Sequence, residues 1–199
     1  RREGMELGFD TRLGDVTLST DYTYLDATFQ SPETVNGEAN STADANGRIQ
    51  ITKGNRIPLV PKNILKIKAD WQINSQWSSS LGMLTVGSSF ARGNENNQHE
   101  ARGNAFVGSG ESAAYTVFDW GVQYKANRNL NLFAQVNNLF DHEYTTAAQL
   151  GATGFDANGR FVARPFSAQG DNQTLVSSTF YAAGAPRTAW LGMRYTFDR

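Results

Sequence analysis

Seven stretches of the chain alternate apolar and polar residues with a period of two, the mark of β-strands with two unlike faces. In the first, Met5, Leu7, Phe9 and Thr11 share a face opposite Glu6, Gly8 and Asp10. After a tight turn at Leu13-Gly14-Asp15, a second strand sets Val16, Leu18, Thr20, Tyr22 and Tyr24 against Thr17, Ser19, Asp21 and Thr23, ending near Phe29. The third is the clearest: Leu65, Ile67, Ala69, Trp71 and Ile73 alternate with Lys66, Lys68, Asp70 and Gln72. A turn at Asn74-Ser75-Gln76 leads to a weakly alternating fourth strand, Trp77 to Phe90, built of small residues. In the fifth, Phe118, Trp120, Val122 and Tyr124 oppose Val117, Asp119, Gly121 and Gln123. A short turn at Asn127-Arg128-Asn129 precedes the sixth, where Leu130, Leu132, Ala134 and Val136 alternate with Asn131, Phe133 and Gln135. Its phase is lost at Asn137-Asn138, which predicts a bulge. In the seventh, Ala189, Leu191, Met193, Tyr195 and Phe197 face away from Thr188, Trp190, Gly192, Arg194 and Thr196.

The segments between strands alternate in length. Residues 30–63, 91–113 and 145–183 read as long polar loops, whereas the other three connections are tight turns. A soluble sandwich has no reason to place every long loop at one end. A transmembrane β-barrel does, with short turns on the periplasmic side and long loops outside. The predicted fold class is therefore all-β: an antiparallel transmembrane barrel to which this chain contributes about seven strands. Lys66, Lys68, Asp70, Asp21, Glu6 and Arg194 all fall on the polar faces. A Lys or Arg facing lipid at mid-membrane costs about 2–4 kcal/mol, so the polar faces must line the lumen. Tyr24, Trp71, Phe118, Tyr124, Tyr195 and Phe197 then face lipid, many of them near strand ends where interfacial aromatics belong.

Composition agrees once that class is considered. Mean hydropathy is -0.48, and no apolar run approaches the roughly 20 residues a spanning helix needs. Barrel strands show lipid only every second residue and average out as polar. Hydrophobic residues make up 39% of the chain and aromatics 12%, a high aromatic share for so polar a sequence. The net charge of -1, without a basic patch, argues against nucleic acid as a partner. There is no cysteine, hence no disulfide framework or thiolate metal site. The chain opens Arg1-Arg2-Glu3 without an initiating methionine or an apolar leader, which reads as a piece of a longer protein with any export signal upstream. No Cys–His pair, nucleophile elbow, phosphate loop or zincin motif is present, so neither an enzyme nor a bound cofactor is expected.

Three segments carry a family resemblance. Gln135-Val136-Asn137-Asn138-Leu139-Phe140-Asp141-His142-Glu143-Tyr144 resembles the VNNLFDxxY segment near the C-terminus of TonB-dependent outer-membrane receptors. Gly184-Ala185-Pro186-Arg187, followed by the strand to Phe197, resembles the lead-in and closing strand of the same family. Arg56-Ile57-Pro58-Leu59-Val60-Pro61-Lys62-Asn63 resembles its IPxxPxH lead-in, with Asn63 where His is common. The resemblance implies a 22-stranded barrel holding an N-terminal plug domain, in which this chain would supply strands 16 to 22 and leave its C-terminus in the periplasm. It further implies an outer-membrane location in a Gram-negative bacterium and uptake of a ferric siderophore or similar metal chelate. External loops would capture the ligand, and the TonB complex would supply energy through the missing N-terminal region. The terminal aromatic Phe197 would form part of the signal read by the barrel-assembly machinery, although Asp198 and Arg199 follow it here. The alternative is a small standalone barrel with a structural or adhesion role.

Several residues invite a chemical reading. Asn137, Asn138, Leu139, Phe140, Asp141 and Tyr144 are expected to be structural, their amides and carboxylate satisfying backbone groups where the strand turns. His142 is expected to cap that turn. Arg92, Arg102, Arg160 and Arg164, with Tyr181, lie in or beside the long loops and suit an anionic, aromatic chelate through paired hydrogen bonds and stacking. His99 reads as a solvated loop residue beside Glu95 and Glu100 rather than a metal ligand. Asp-Ala-Asn-Gly-Arg occurs at 44–48 and again at 156–160; without the Glu that completes a calcium loop, both copies read as Asn-Gly turns.

Overall fold

A computed structural model of the chain describes residues 1–163 and 175–197. Seven long strands form one antiparallel meander: β1 (Arg2–Leu13), β2 (Val16–Ala27), β5 (Asn63–Gln72), β6 (Trp77–Val86), β10 (Tyr115–Lys125), β11 (Leu130–Asn137) and β14 (Thr188–Tyr195). Each pairs with the next in sequence, so the seven predicted strands are present in the predicted order. The register keeps the two faces apart across the whole sheet. One row runs Thr11–Leu18–Ala69–Leu81–Trp120–Val136–Ala189, and the next Leu13–Val16–Trp71–Ser79–Val122–Ala134–Leu191. This apolar face is bare: Phe9, Trp71, Leu191 and Met193 are 60%, 50%, 84% and 75% exposed. Such a surface fits water poorly and lipid well. The opposite face carries Arg12, Lys68, Asp70, Asn131 and Arg194 around a concave space of about 700 Å³.

The three short turns share local devices. At Asn74 and Asn127 the side-chain Oδ1 accepts two backbone N–H groups, those of Gln76 and Trp77 in one case and of Asn129 and Leu130 in the other. Asparagine imitates a backbone turn in this way. The third turn uses Gly14 at φ 63°, a left-handed conformation that glycine adopts without steric cost.

The long connections are not structureless, and here the structure departs from the sequence reading. Between β2 and β5 lies a hairpin of β3 (Glu33–Asn36) and β4 (Arg48–Ile51). The fourth strand ends at Val86 rather than Phe90. Beyond Gly87, β7 (Ser89–Phe90) pairs with β9 (Glu111–Ser112), and β8 (Phe106–Val107) joins another sheet. The largest departure is 145–183, where β12 (Thr145–Asp156) and β13 (Leu175–Ala183) form a long hairpin interrupted by two register shifts. Its Thr, Ala and Gly residues give little hydropathy contrast, and Ala and Gly score low as strand formers. The buried apolar residues gather at this end of the molecule: Ile49 and Ile51 under the first hairpin, and Ala91, Ala148 and Leu150 where the second and third connections meet.

Candidate ligand-binding face of the long loops

A network of buried amides joins the first two connections. The side chain of Asn40, fully buried, donates to the Gly93 carbonyl at 3.0 Å and to Asn96 Oδ1 at 3.2 Å. Asn96 Nδ2 in turn donates to Thr42 Oγ1 at 2.8 Å. Asn94, 1% exposed, accepts the His99 N–H and donates to the Gly110 carbonyl. An amide that both donates and accepts can close such a chain without burying a net charge. The third connection is tied in through backbone: Arg92 N donates to Ala148 O at 2.9 Å, and Leu150 N to Arg92 O at 2.8 Å. The Gly110 N–H adds a bond to Thr179 Oγ1 at 3.0 Å.

Against this scaffold opens a cleft of about 620 Å³, lined by Phe29, Asn36, Glu38, Arg92, Glu95 and Gln149, among others. That volume lies in the range of small-molecule sites. Of the five loop residues singled out by sequence, Arg92 lines the cleft with an exposed side chain. Arg102 Nη1 instead donates to the Ser41 carbonyl at 3.2 Å and holds the two loops together. Arg160 is exposed in the turn just beyond β12, and Tyr181 stands 47% exposed on β13 opposite Ala148. Arg164 lies outside the described residues. Glu38 and Gln149 gave no sequence signal, and Glu95 stood out only as a neighbour of His99, since only the pairing of remote segments brings the three to one wall.

The polar motif at the end of β11 forms a clasp. Asn138 and Asp141 adopt φ of 50° and 54°, which Asn and Asp tolerate better than most residues. The Asn138 N–H donates to Asp119 Oδ1 at 2.8 Å, and Asn138 Nδ2 reaches the carbonyls of His142 and Ala185. Asn138 Oδ1 also accepts the His142 N–H, so Asn138 does the capping and His142 is the capped residue. Asn137 Oδ1 accepts from Gln135 within the strand. Asp141 accepts the Arg187 N–H at 3.0 Å and faces its guanidinium at 3.6 Å. The Tyr144 ring lies on Gly184, where any Cβ would collide with it. Phe140, 70% exposed on the apolar side, meets Phe118 edge to face at 5.3 Å, while Leu139 N donates to Phe118 O. Two sequence segments some 40 residues apart are thus two halves of one joint. Both side chains of the Asp141–Arg187 pair are more than half exposed, so Asp141→Ala is expected to cost less than about 1 kcal/mol through the ion pair. A urea titration that shows a larger loss would locate the effect in the backbone bond to Arg187 instead.

In the lead-in segment, Arg56 sits over the Phe90 ring at 5.3 Å and Asn63 Oδ1 accepts the Tyr22 hydroxyl at 2.7 Å. Phe197, 81% exposed at the opposite end of the sheet, meets Tyr195 edge to face. The two Asp-Ala-Asn-Gly-Arg copies form the same turn. Asp44 and Asp156 each use Oδ1 to accept the N–H groups two and four residues ahead, and Gly47 and Gly159 have φ of 70° and 75°. No group of three or more acidic or histidine side chains is placed to hold a metal among the described residues. His99 is a correction: it is 6% exposed, not solvated.

A family model for TonB dependent receptor-like β-barrels matches residues 1–139. The chain belongs to the TonB-dependent receptor β-barrel family. The probable TonB-dependent siderophore receptor PiuA of Acinetobacter baumannii is 29% identical over 159 residues, which are 79% of this chain and 19% of that protein. The crystal structure of the siderophore receptor PiuA from Acinetobacter baumannii aligns with a TM-score of 0.65 at 18% identity, over 98% of this chain and 21% of the receptor's. A ferric enterobactin receptor (PfeA) mutant from Pseudomonas aeruginosa gives 0.56 at 19% identity, over 98% of this chain and 22% of its own. The copper transporter OprC gives 0.56 at 20% identity, over 98% and 24%. The chain therefore spans about a fifth of the length of these relatives. TonB-dependent receptors are outer-membrane proteins of Gram-negative bacteria, and they are transporters and receptors rather than enzymes. Seen as part of a TonB-dependent receptor barrel, the bare apolar face is the lipid face. The amide-bonded loop cluster and the three short turns lie at opposite ends of the strands.

Proposed function

We propose that residues 1–199 are the C-terminal seven strands, 16 to 22, of a 22-stranded outer-membrane receptor that takes up a ferric siderophore or a similar metal chelate. The observation that carries this reading is the external cluster: three long connections, bonded into one body, around a cleft of ligand size. The family match supports the transport class, and the relatives named for siderophores, ferric enterobactin and copper support a metal-bearing ligand. The described sheet has open edges at β1 and β14. Unpaired edges are untenable in lipid, so further strands must close the barrel. On this reading the TonB complex acts through the N-terminal region, a plug occupies the polar concave face, and Phe197 serves the barrel-assembly machinery.

The test is uptake of radioiron chelates by iron-starved cells of the source organism. Disrupting the gene should abolish uptake of at least one chelate, and loss of TonB should abolish the same uptake. Unchanged uptake across a catecholate, hydroxamate and citrate panel would refute the iron reading. Within the site, Arg92→Ala should weaken chelate binding roughly tenfold, the scale of one charge-assisted hydrogen bond. Arg160→Ala, outside the cleft lining, should change binding far less. Titration of the purified receptor separates the two, and equal losses would show that the cleft around Arg92 does not define the site.

A further inference from the structure

His99 is a buried titratable group for which the uptake reading has no use. Its Nδ1 accepts the Ser41 N–H at 3.1 Å, and its ring meets Phe106 edge to face at 6.1 Å. Because Nδ1 accepts, the neutral ring carries its proton on Nε2, and that buried atom makes no hydrogen bond of ordinary geometry, the Gly108 backbone offering only a weak contact to the ring. Two further bonds grip the same serine. The Glu100 N–H donates to Ser41 Oγ at 2.9 Å, and Arg102 Nη1 donates to the Ser41 carbonyl. Ser41 belongs to the β3–β4 hairpin, whereas His99, Glu100 and Arg102 belong to the connection between β6 and β10. A proton added to Nδ1 would turn the only acceptor for the Ser41 N–H into a second donor pointing at it.

We propose that His99 is a proton-operated pin between two external loops: neutral, it fastens the Ser41 turn to the loop at 94–102; protonated, it releases that turn. Burial holds the imidazole below its ordinary value, and the Arg102 guanidinium acts in the same direction, against a partial opposing effect of the Gly108 backbone. Arg102 is the charged group acting on it among the described residues; Ser41, Asn94, Phe106 and Gly110, which pack around it, are neutral. The direction of the pH effect follows from this lowered value. Well above pH 6.5 the imidazole is neutral whether docked or released, and docking is undisturbed. As pH falls through 6.5 the released ring takes up a proton that the docked ring resists, so docking weakens. The loss levels off below the docked ring's own lower value. The loop cluster would therefore be closed in neutral surroundings and loosened in acidic ones.

The experiment uses the full-length receptor in lipid nanodiscs, spin-labelled at Ala45→Cys and Asn104→Cys, two exposed positions on the two loops. Pulsed electron resonance should show a shift to longer, broader distances between about pH 7.5 and about pH 5. His99→Asn, which offers a non-titrating amide oxygen near the Nδ1 position, should remove that shift. A constant distance in the unmutated receptor, or the same shift in His99→Asn, would overturn the proposal. Hydrogen exchange in the receptor with His99 intact gives an independent reading. Protection of the Ser41 amide should fall in acid relative to the Gly37 amide, which the Gly47 carbonyl holds at 2.9 Å. A ratio unchanged by pH would overturn the proposal just as surely.

Discussion

Leu191→Arg is expected to destabilise the folded barrel by about 2–4 kcal/mol, the cost of an arginine facing lipid near the bilayer midplane. Leu191 lies midway along β14 and is 84% exposed on the apolar face, in the same row as Val122 and Ala134. Among the described residues its cross-strand partner is the apolar Ala134. Trp71 is in that row too but sits one residue from the end of β5, beside a short turn. An arginine there can reach the interface, and the cost should shrink toward 0–1 kcal/mol, as it does away from the midplane. Gln123→Arg places the same group on the lumen face and serves as the control. Urea titration of the full-length receptor in lipid vesicles should rank the three as Leu191, then Trp71, then Gln123. Equal stability of the Leu191 and Gln123 variants would reverse the assignment of the faces.

The strand half of this architecture was legible because lipid imposes it. A barrel strand must separate Lys66, Lys68 and Asp70 from Leu65, Ile67 and Ala69, and that separation is written with period two. The loop half was not, for reasons that differ by segment. Ile49 and Ile51, 1% and 2% exposed, do alternate with Arg48 and Gln50, but a four-residue signal inside a polar stretch is easily passed over. In β12 the residues are too small for alternation to show, and partner strand β13 decides the conformation. His99 looked solvated because its own neighbours are polar; of the residues that enclose it, Ser41 comes from another connection and Phe106 from further along its own. Sequence named Arg92 as a candidate but could not separate it from Arg102, because that distinction depends on which guanidinium meets the Ser41 carbonyl.

The clasp at the end of β11 supports the other large effect. Asn138→Ala should cost about 3–4 kcal/mol, more than any exposed substitution in the same turn. Three side-chain hydrogen bonds vanish, to His142 N, His142 O and Ala185 O. Asn138 is 4% exposed, but His142 and Ala185 are exposed residues, so water reaches part of what is abandoned and each lost bond costs roughly 1 kcal/mol, the low end of the range for an unpaired group. The alanine must also hold φ near 50°, a left-handed conformation worth roughly another 1 kcal/mol against it. Asn138→Gly removes that backbone cost while losing the same bonds, so it should recover about 1 kcal/mol. The loss should be local as well as global. Ala185 precedes Pro186 and Arg187 at the start of β14, so freeing it loosens the return of the β12–β13 hairpin into the barrel. Limited proteolysis of the receptor in vesicles should cut near residues 140–145 or 184–187 in the alanine variant before it cuts elsewhere. A variant as resistant and as stable as the parent would show that the motif's amides are dispensable, and that the joint rests on Tyr144 against Gly184 instead.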